Sequence, residues 1–229
     1  MLSEAIKRRI ADACVTVGSG DVKGRGVLVG AQLVLTAAHN IVYYLDETAP
    51  RPLASAPVGL ATGDHVVIPI ETSHGLLHVA PLAIEPVQDI AVLGALDNQV
   101  FWDEVEAYEA WCEAVAPIPL CYEDLPLWQP VPVAVYTHRD TWLEGTAELG
   151  RPDARWTIVT MPDGIEGGTS GSPIVTVQGA IMGIVSQFGG SEPDALTKGR
   201  QGPAPRPHLT LPAWVLRQIQ YEEEGVPET

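Results

Sequence analysis

Short hydrophobic runs, several of them alternating with polar residues, cover most of this chain, and turns rich in glycine and proline separate them. Regular spacing of such runs is typical of an all-β barrel or sandwich. Glycine clusters predict turns at Gly24–Gly26 and Gly30–Gln32. The predicted strands are Cys14–Val17, Gly26–Val29, Gln32–Leu35, Val58–Leu60, Val66–Ile70, Leu76–Ile84, Ile90–Leu93, Val131–Thr137, Thr141–Leu149, Trp156–Val159, Pro173–Val177, Ala180–Ser186 and Leu209–Leu211.

Three segments depart from this strand pattern and predict helices. Ser3 is a candidate N-cap for a helix over Glu4–Ala13, and Pro212 is suited to the first turn of a C-terminal helix. Phe101–Val115 has helical periodicity, with acidic residues between its apolar positions. That apolar stripe consists of Phe101, Val105, Tyr108, Cys112 and Val115. Its acidic face has two interpretations, a solvated surface or a docking site for a partner.

Three motifs carry the candidate chemistry, in the order histidine, aspartate, serine. They are Thr-Ala-Ala-His at Thr36–His39, Asp-Ile-Ala-Val at Asp89–Val92 and Gly-Gly-Thr-Ser-Gly-Ser-Pro at Gly167–Pro173. A serine hydroxyl is a weak nucleophile until a neighbouring base activates it, and that base needs a group to orient it. The motifs supply a base, an orienter and a nucleophile in that order.

These motifs resemble those of the trypsin/chymotrypsin-like serine peptidases. The Gly-x-Ser-Gly-Ser-Pro form is similar to the bacterial, disulfide-free branch with glutamyl-endopeptidase-like and HtrA-like members. The resemblance implies two six-stranded antiparallel β-barrels with an inter-barrel helix and a C-terminal helix, in one peptidase unit over residues 1–229. It implies an N-terminal barrel over 1–98, an acidic helical connection over 99–120, and a C-terminal barrel with the terminal helix over 121–229.

The resemblance also implies the roles of individual residues. His39, Asp89 and Ser170 would be catalytic, and the N–H groups of Gly168 and Ser170 would form the oxyanion hole. The hydroxyl of Ser186 would also touch Asp89. The implied substrate-binding residues are Gly164, Ile165, Ser186, Gln187 and Phe188, of which Gln187 and Phe188 would pair with the peptide as an added antiparallel strand.

The chain departs from the family in features of activation and of specificity. Relatives activated by zymogen cleavage have an acid directly before the nucleophile, where this chain has Thr169, and no Ile-Val-Gly-Gly start exists here. Other contacts must therefore hold the oxyanion loop. Gly164 stands where enzymes that cut after arginine or lysine have aspartate, and Val185 where enzymes that cut after glutamate have histidine. A small or apolar residue before the cut is the first prediction, with basic residues read by Asp163 or Glu166 as the alternative.

Composition and net charge limit the classes of partner that the chain is expected to bind. The net charge of −16 disfavours nucleic acid and anionic membranes, so the predicted partners are a protein or peptide substrate and a regulatory protein. No apolar run is long enough to span a membrane. The N-terminus lacks a secretory signal, which predicts a cytoplasmic location if Met1 is native; a chain trimmed of its signal would look the same. Cys14, Cys112 and Cys121 predict reduced thiols, and no metal or cofactor is predicted.

Two function classes stay open at this stage. The first is a serine endopeptidase working through an acyl-enzyme, with activity governed by a partner or substrate rather than by N-terminal cleavage. The second is a binding or regulatory protein with a protease fold and little activity. An α/β-hydrolase is excluded, because its triad runs serine, acid, histidine. The remaining histidines, which are His65, His74, His78, His138 and His208, are predicted to be surface or strand residues.

Overall fold

The structure, a computed structural model, describes residues 1–19, 22–41, 66–85, 89–97, 99–122, 129–149, 156–160, 165–186 and 208–210. Within these residues the helices are α1 (Glu4–Ala13) and α2 (Trp102–Ala114), with a 3-10 turn at Ala38–Asn40. Its strands are β1 (Cys14–Ser19), β2 (Val22–Val29), β3 (Leu33–Ala37), β4 (Ile68–Thr72), β5 (Gly75–Glu85), β6 (Ile90–Gly94), β7 (Val131–Tyr136), β8 (Trp142–Leu149), β9 (Trp156–Thr160), β10 (Pro173–Thr176), β11 (Ile181–Ile184) and β12 (His208–Thr210). The all-β prediction is confirmed.

The first six strands form a closed antiparallel barrel in the order β1-β2-β3-β6-β5-β4. Closure comes from β1, which pairs with β2 on one side and with β4 on the other. Closure leaves no free sheet edge at which another chain could pair. Every residue of β6 is buried, so this strand enters the barrel wall as a continuous apolar run, directly after Asp89.

The second sheet contains the other six strands, again antiparallel, in the order β10-β11-β12-β9-β8-β7. β10 pairs with β11 on one side and with β7 on the other. Its core is a separate cluster of Val133, Val135, Ala147, Ile165, Ile174, Met182 and Val185. The two sheets meet along the segment before β7, where Ile118 N–H donates to the Leu28 carbonyl at 3.0 Å and Leu120 bridges Ile181.

One predicted turn is wrong and the other is right. Gly24–Gly26 lies inside β2, because these glycines serve close approach rather than chain reversal. A Cβ at Gly24 would overlap the Asn40 amide. Gly30–Gln32 is a turn between the paired residues Val29 and Leu33, and Ala31 and Gln32 have left-handed φ of 60° and 55°.

Helix α2 lies within one residue of its predicted bounds at each end. Its buried face differs from the predicted stripe, because Trp111 is buried and Cys112 is half-buried. Tyr108 is fully buried, and its hydroxyl donates to the Gln32 carbonyl at 2.6 Å. Burial raises the pKa of Tyr108 well above its usual range.

Helix α1 begins as predicted, with the Ser3 hydroxyl accepting from Ile6 N–H at 3.3 Å. It precedes the first barrel in sequence but contacts the second sheet. Lys7 forms an ion pair with Glu144 of β8 at 3.5 Å, and Ile6 lies against Gly179 beyond β10. The predicted strand Val58–Leu60 and the C-terminal helix from Pro212 lie outside the described residues. None of the described helices is long and apolar enough to cross a membrane.

Candidate active site

His39 and Asp89 meet at one end of the first barrel. Antiparallel pairing of β3 with β6 places the residues that follow β3 beside the residue that precedes β6. His39 Nδ1 lies 2.7 Å from Asp89 Oδ2, and the His39 backbone N–H donates to Asp89 Oδ1 at 2.9 Å. Because the carboxylate accepts from Nδ1, the neutral ring carries its proton there and leaves Nε2 as an acceptor.

Asp89 is held by more than the histidine. Ser186 Oγ donates to Asp89 Oδ2 at 2.7 Å, and the Asp89 carbonyl accepts from Ala38 N–H at 3.1 Å. The residue has a left-handed φ of 50° and is 8% exposed. Aspartate tolerates this conformation better than most residues. A buried carboxylate must be paired, and the two side-chain donors and one backbone donor meet that requirement.

Ser170 lies in a pair of successive β-turns whose shape depends on glycine. Thr169 N–H donates to the Glu166 carbonyl at 3.3 Å, and Ser172 N–H donates to the Thr169 carbonyl at 3.0 Å. The third residue of each turn has positive φ, 89° at Gly168 and 87° at Gly171, while the second residue does not. This is the type II turn, which needs glycine at its third position. The glycine pattern of the motif is therefore a conformational requirement.

The backbone N–H groups of Gly168 and Ser170 are available on this loop. Within the described part of the chain neither N–H has an acceptor. Backbone donors on adjacent turns can bind one developing negative charge together. The arrangement is suited to an oxyanion.

The carbonyl side of Ser170 is tied to the first barrel. Its oxygen accepts from Arg25 N–H at 2.7 Å and from the Asn40 amide at 2.9 Å. On the other side, Gly171 N–H donates to the Val185 carbonyl at 2.6 Å. A Cβ at Gly171 would overlap the Arg25 carbonyl. The turns that carry Ser170 are thus held between β2 and the segment after β11.

Among the described residues, no hydrogen bond joins the side chains of His39 and Ser170. The His39 side chain is 36% exposed, and Ser170 is half-buried. Catalytic hydrogen bonds are often long before substrate binds and tighten in the complex. The backbone ties place the two side chains at the junction of the sheets without closing that last contact.

The predicted substrate-binding residues divide into three groups. Ser186 is buried and bound to Asp89. Ile165 is 6% exposed and packs in the core of the second sheet; its substrate contact stays a prediction. Gly164, Gln187 and Phe188 lie outside the described residues.

Residues that the sequence did not single out complete the site. Asn40 directly follows the motif histidine, and its buried amide donates to the Ser170 carbonyl and to Thr36 Oγ1. Arg25 is buried, pairs with Asp140 at 3.2 Å and lies 5.2 Å from the centre of the Tyr136 ring. His138 was predicted to be an ordinary surface or strand residue, but its Nδ1 lies 3.0 Å from Thr169 Oγ1. The position of Asn40 directly after the motif histidine was the one usable signal.

The sequence matches no protein-family profile and no curated protein sequence. Solved structures are similar in fold. An inactive mutant form of Rv3671c from M. tuberculosis H37Rv superposes with a TM-score of 0.57 at 13% identity, covering 100% of this chain and 95% of that one. The serine endoprotease of Yersinia pestis gives 0.54 at 16% identity, covering 97% of this chain and 66% of that one.

The active form of the Rv3671c protease from M. tuberculosis gives a TM-score of 0.53 at 13% identity, covering 98% of this chain and 86% of that chain. At these identities the likeness is one of fold. The chain has the chymotrypsin-like barrel fold of these serine proteases. What it does with that fold must be argued from its own residues.

Proposed function

We propose that this chain is a serine endopeptidase of the chymotrypsin-like, two-barrel type, with His39, Asp89 and Ser170 as its triad. The observation that carries the proposal is the 2.7 Å contact between His39 Nδ1 and Asp89, made beside a nucleophile turn that Asn40 ties to the same element. A protease fold alone would not require either contact. Together they supply an oriented base next to a serine.

In the proposed reaction, Ser170 Oγ attacks the carbonyl carbon of a peptide bond and its proton passes to His39 Nε2. The carbonyl oxygen becomes an oxyanion that accepts hydrogen bonds from Gly168 and Ser170 N–H. The C–N bond then breaks, and His39 returns the proton to the leaving amine. Water attacks the acyl-enzyme with His39 as base again, which releases the new carboxyl group and restores Ser170.

Asp89 holds the His39 imidazole in the tautomer that these reaction steps need, and it stabilises the imidazolium that forms. Its hydrogen bonds to Ser186 and to His39 N–H keep the carboxylate aimed at Nδ1. Asp89 itself keeps no proton at any step.

Regulation, location and specificity belong to the same proposal. We place the enzyme in the cytoplasm, in the disulfide-free bacterial branch, with a protein or peptide substrate and control by substrate or partner. Thr169 in place of the activating acid supports this form of control, and the reduced Cys14, Cys112 and Cys121 suit a reducing compartment. A small or apolar residue before the cut remains the favoured specificity.

The decisive experiment is labelling with a fluorophosphonate probe. Wild type should label, and Ser170→Ala should not. Ser172→Ala is the matched control, since that neighbouring hydroxyl is fully buried and has no hydrogen-bond partner among the described residues. Cleavage-site profiling of a proteome digest by wild type against Ser170→Ala then gives the specificity. A folded wild type that neither labels nor cleaves would favour the regulatory-protein alternative.

A further inference from the structure

His138 lies in the loop between β7 and β8. It contacts two adjacent residues, Gly168 and Thr169, of the loop that carries the proposed oxyanion donors. Its Nδ1 is 3.0 Å from Thr169 Oγ1. Its ring carbons lie 3.2 and 3.3 Å from where a Cβ on Gly168 would stand. Thr169 is fully buried, so its hydroxyl needs a partner inside the protein.

The peptide that His138 covers has an alternative orientation. Gly167 and Gly168 are the central residues of the first type II turn, and type I and type II turns differ by a reversal of the central peptide. That peptide carries the Gly168 N–H. Reversal turns this N–H to the opposite face of the turn, so the orientation of the Gly168 donor relative to Ser170 N–H depends on which turn type is held.

The loop that carries His138 is braced from within. Thr137 Oγ1 accepts from Arg139 N–H at 3.2 Å and lies 2.8 Å from Thr141 Oγ1. Asp140, at a left-handed φ of 57°, donates its N–H to the Thr137 carbonyl at 3.1 Å. These bonds give His138 a defined backbone from which to reach Thr169.

Ion pairs connect this β7–β8 loop both to β2 and to the loop that carries Ser170. Asp140 pairs with the buried Arg25 at 3.2 Å, and Arg25 N–H donates to the Ser170 carbonyl. Arg139 pairs with Glu166, the first residue of the oxyanion turn. That surface pair adds little by itself. Arg25 therefore contacts both the β7–β8 loop, through Asp140, and the Ser170 carbonyl. The β7–β8 loop in turn contacts Thr169 through His138.

We propose that His138 is a positioning residue, which holds the Gly167–Gly168 peptide in the orientation that presents Gly168 N–H to an oxyanion. It does so through its hydrogen bond to Thr169 and the packing of its ring on Gly168. This inference rests on the proposed function only for its catalytic consequence.

Substitutions at His138 separate its two contacts. His138→Phe keeps a ring over Gly168 and loses the hydrogen bond. His138→Asn keeps a polar atom at the place of Nδ1 and loses the ring, whereas His138→Ala loses both. Thr169→Val removes the hydroxyl with little change of shape. His74→Ala, at an exposed histidine in the β4–β5 hairpin, is the matched control.

The kinetic readout divides kcat from KM. His138→Ala should lower kcat by at least about 10-fold, approaching the loss of about 10²–10³-fold expected when one oxyanion donor is removed outright. KM should change little, because the lost contact is made mainly in the transition state. His138→Asn should recover part of kcat. The double variant His138→Phe/Thr169→Val should lower kcat no more than either single variant, because both substitutions remove the same hydrogen bond.

Amide NMR tests the positioning without any need for activity. In His138→Ala the Gly168 and Ser170 amide signals should shift, broaden or double, while His74→Ala leaves them in place. Unchanged Gly168 and Ser170 signals in His138→Ala overturn the proposal, whatever the kinetics. If wild type fails to label but the Gly168 signal still responds to His138→Ala, the proposed function is lost and the positioning role stands.

Discussion

The side-chain amide of Asn40 donates to the carbonyl oxygen of Ser170 at 2.9 Å, across 130 residues of sequence. Asn40 directly follows His39 in the 3-10 turn at the end of β3, so this bond connects the proposed base to the proposed nucleophile through backbone. The same amide donates to Thr36 Oγ1 at 3.0 Å, and the Thr36 hydroxyl donates to the Arg25 carbonyl at 2.6 Å. A buried hydrogen-bond network therefore sets how the first barrel meets the turns that carry Ser170.

Replacing Asn40 with leucine should weaken this junction. The change keeps the volume but removes one of the two donors to the Ser170 carbonyl and the donor to Thr36 Oγ1, while the bond from the Thr36 hydroxyl to the Arg25 carbonyl remains. We expect a loss of about 1–3 kcal/mol in the free energy of unfolding, because two buried hydrogen bonds of about 0.5–1.5 kcal/mol each are lost. Urea unfolding measures it. Gln99→Ala, at an exposed position, is the control, and an equal effect of the two changes would contradict the network.

Asp89→Asn should leave the fold intact and abolish most of the activity. An asparagine amide facing His39 Nδ1 favours the wrong ring tautomer, which puts the proton on Nε2. The corresponding change in a known serine protease lowers kcat by about 10⁴-fold, and we expect a loss of that order in peptide hydrolysis. Ser186→Ala, which removes one donor to the carboxylate and keeps the charge, should cost much less. Equal losses from both changes would show that Asp89 acts through something other than tautomer control.

Gly171→Ala and Gly75→Ala form a matched pair. Both glycines have left-handed φ, 87° and 117°, so both substitutions carry backbone strain of about 1–3 kcal/mol. Only Gly171 is also blocked, by the Arg25 carbonyl and the Thr36 hydroxyl, whereas a Cβ at Gly75 meets nothing within 4 Å. Thermal and urea unfolding should show Gly171→Ala as clearly the more destabilising. Similar losses would mean that the nucleophile turn moves freely away from β2.

The Cys14 thiol should react slowly and should link stability to alkaline pH. Burial raises the pKa of the Cys14 thiol from 9.0 to about 12, and the positive charge of Arg25 opposes this increase. The unfolded thiol therefore ionises first as pH rises. The stabilising contribution of the neutral thiol is complete below pH 9.0 and is lost as pH rises through about 12.

Cys14→Ala should therefore make unfolding less sensitive to pH above 9.0. Urea unfolding of both proteins on either side of that pH measures the difference. Rapid alkylation of Cys14 in the native protein at neutral pH would contradict its burial, since the thiolate is the reactive form.

Local sequence was enough for much of the fold and for the chemistry of the candidate site. Hydrophobic alternation predicted most strand positions to within a residue or two, because one face of each strand must be apolar to be buried. The prediction of turns from glycine failed where glycine served close packing, as in β2 at Gly24. A glycine that avoids a clash looks the same in sequence as one that turns the chain.

The residues themselves determined which groups are available for catalysis: His39, Asp89, Ser170 and the glycines whose left-handed φ shapes the loop. Only the tertiary structure decided what holds those groups in place. The partners of Ser170, Thr169 and Arg25 come from positions 130, 31 and 115 residues away. Contacts of that range depend on which strands pair and in what register, and no local pattern encodes them. For that reason Asn40, Arg25 and His138 became visible only once the barrel and the second sheet were brought together.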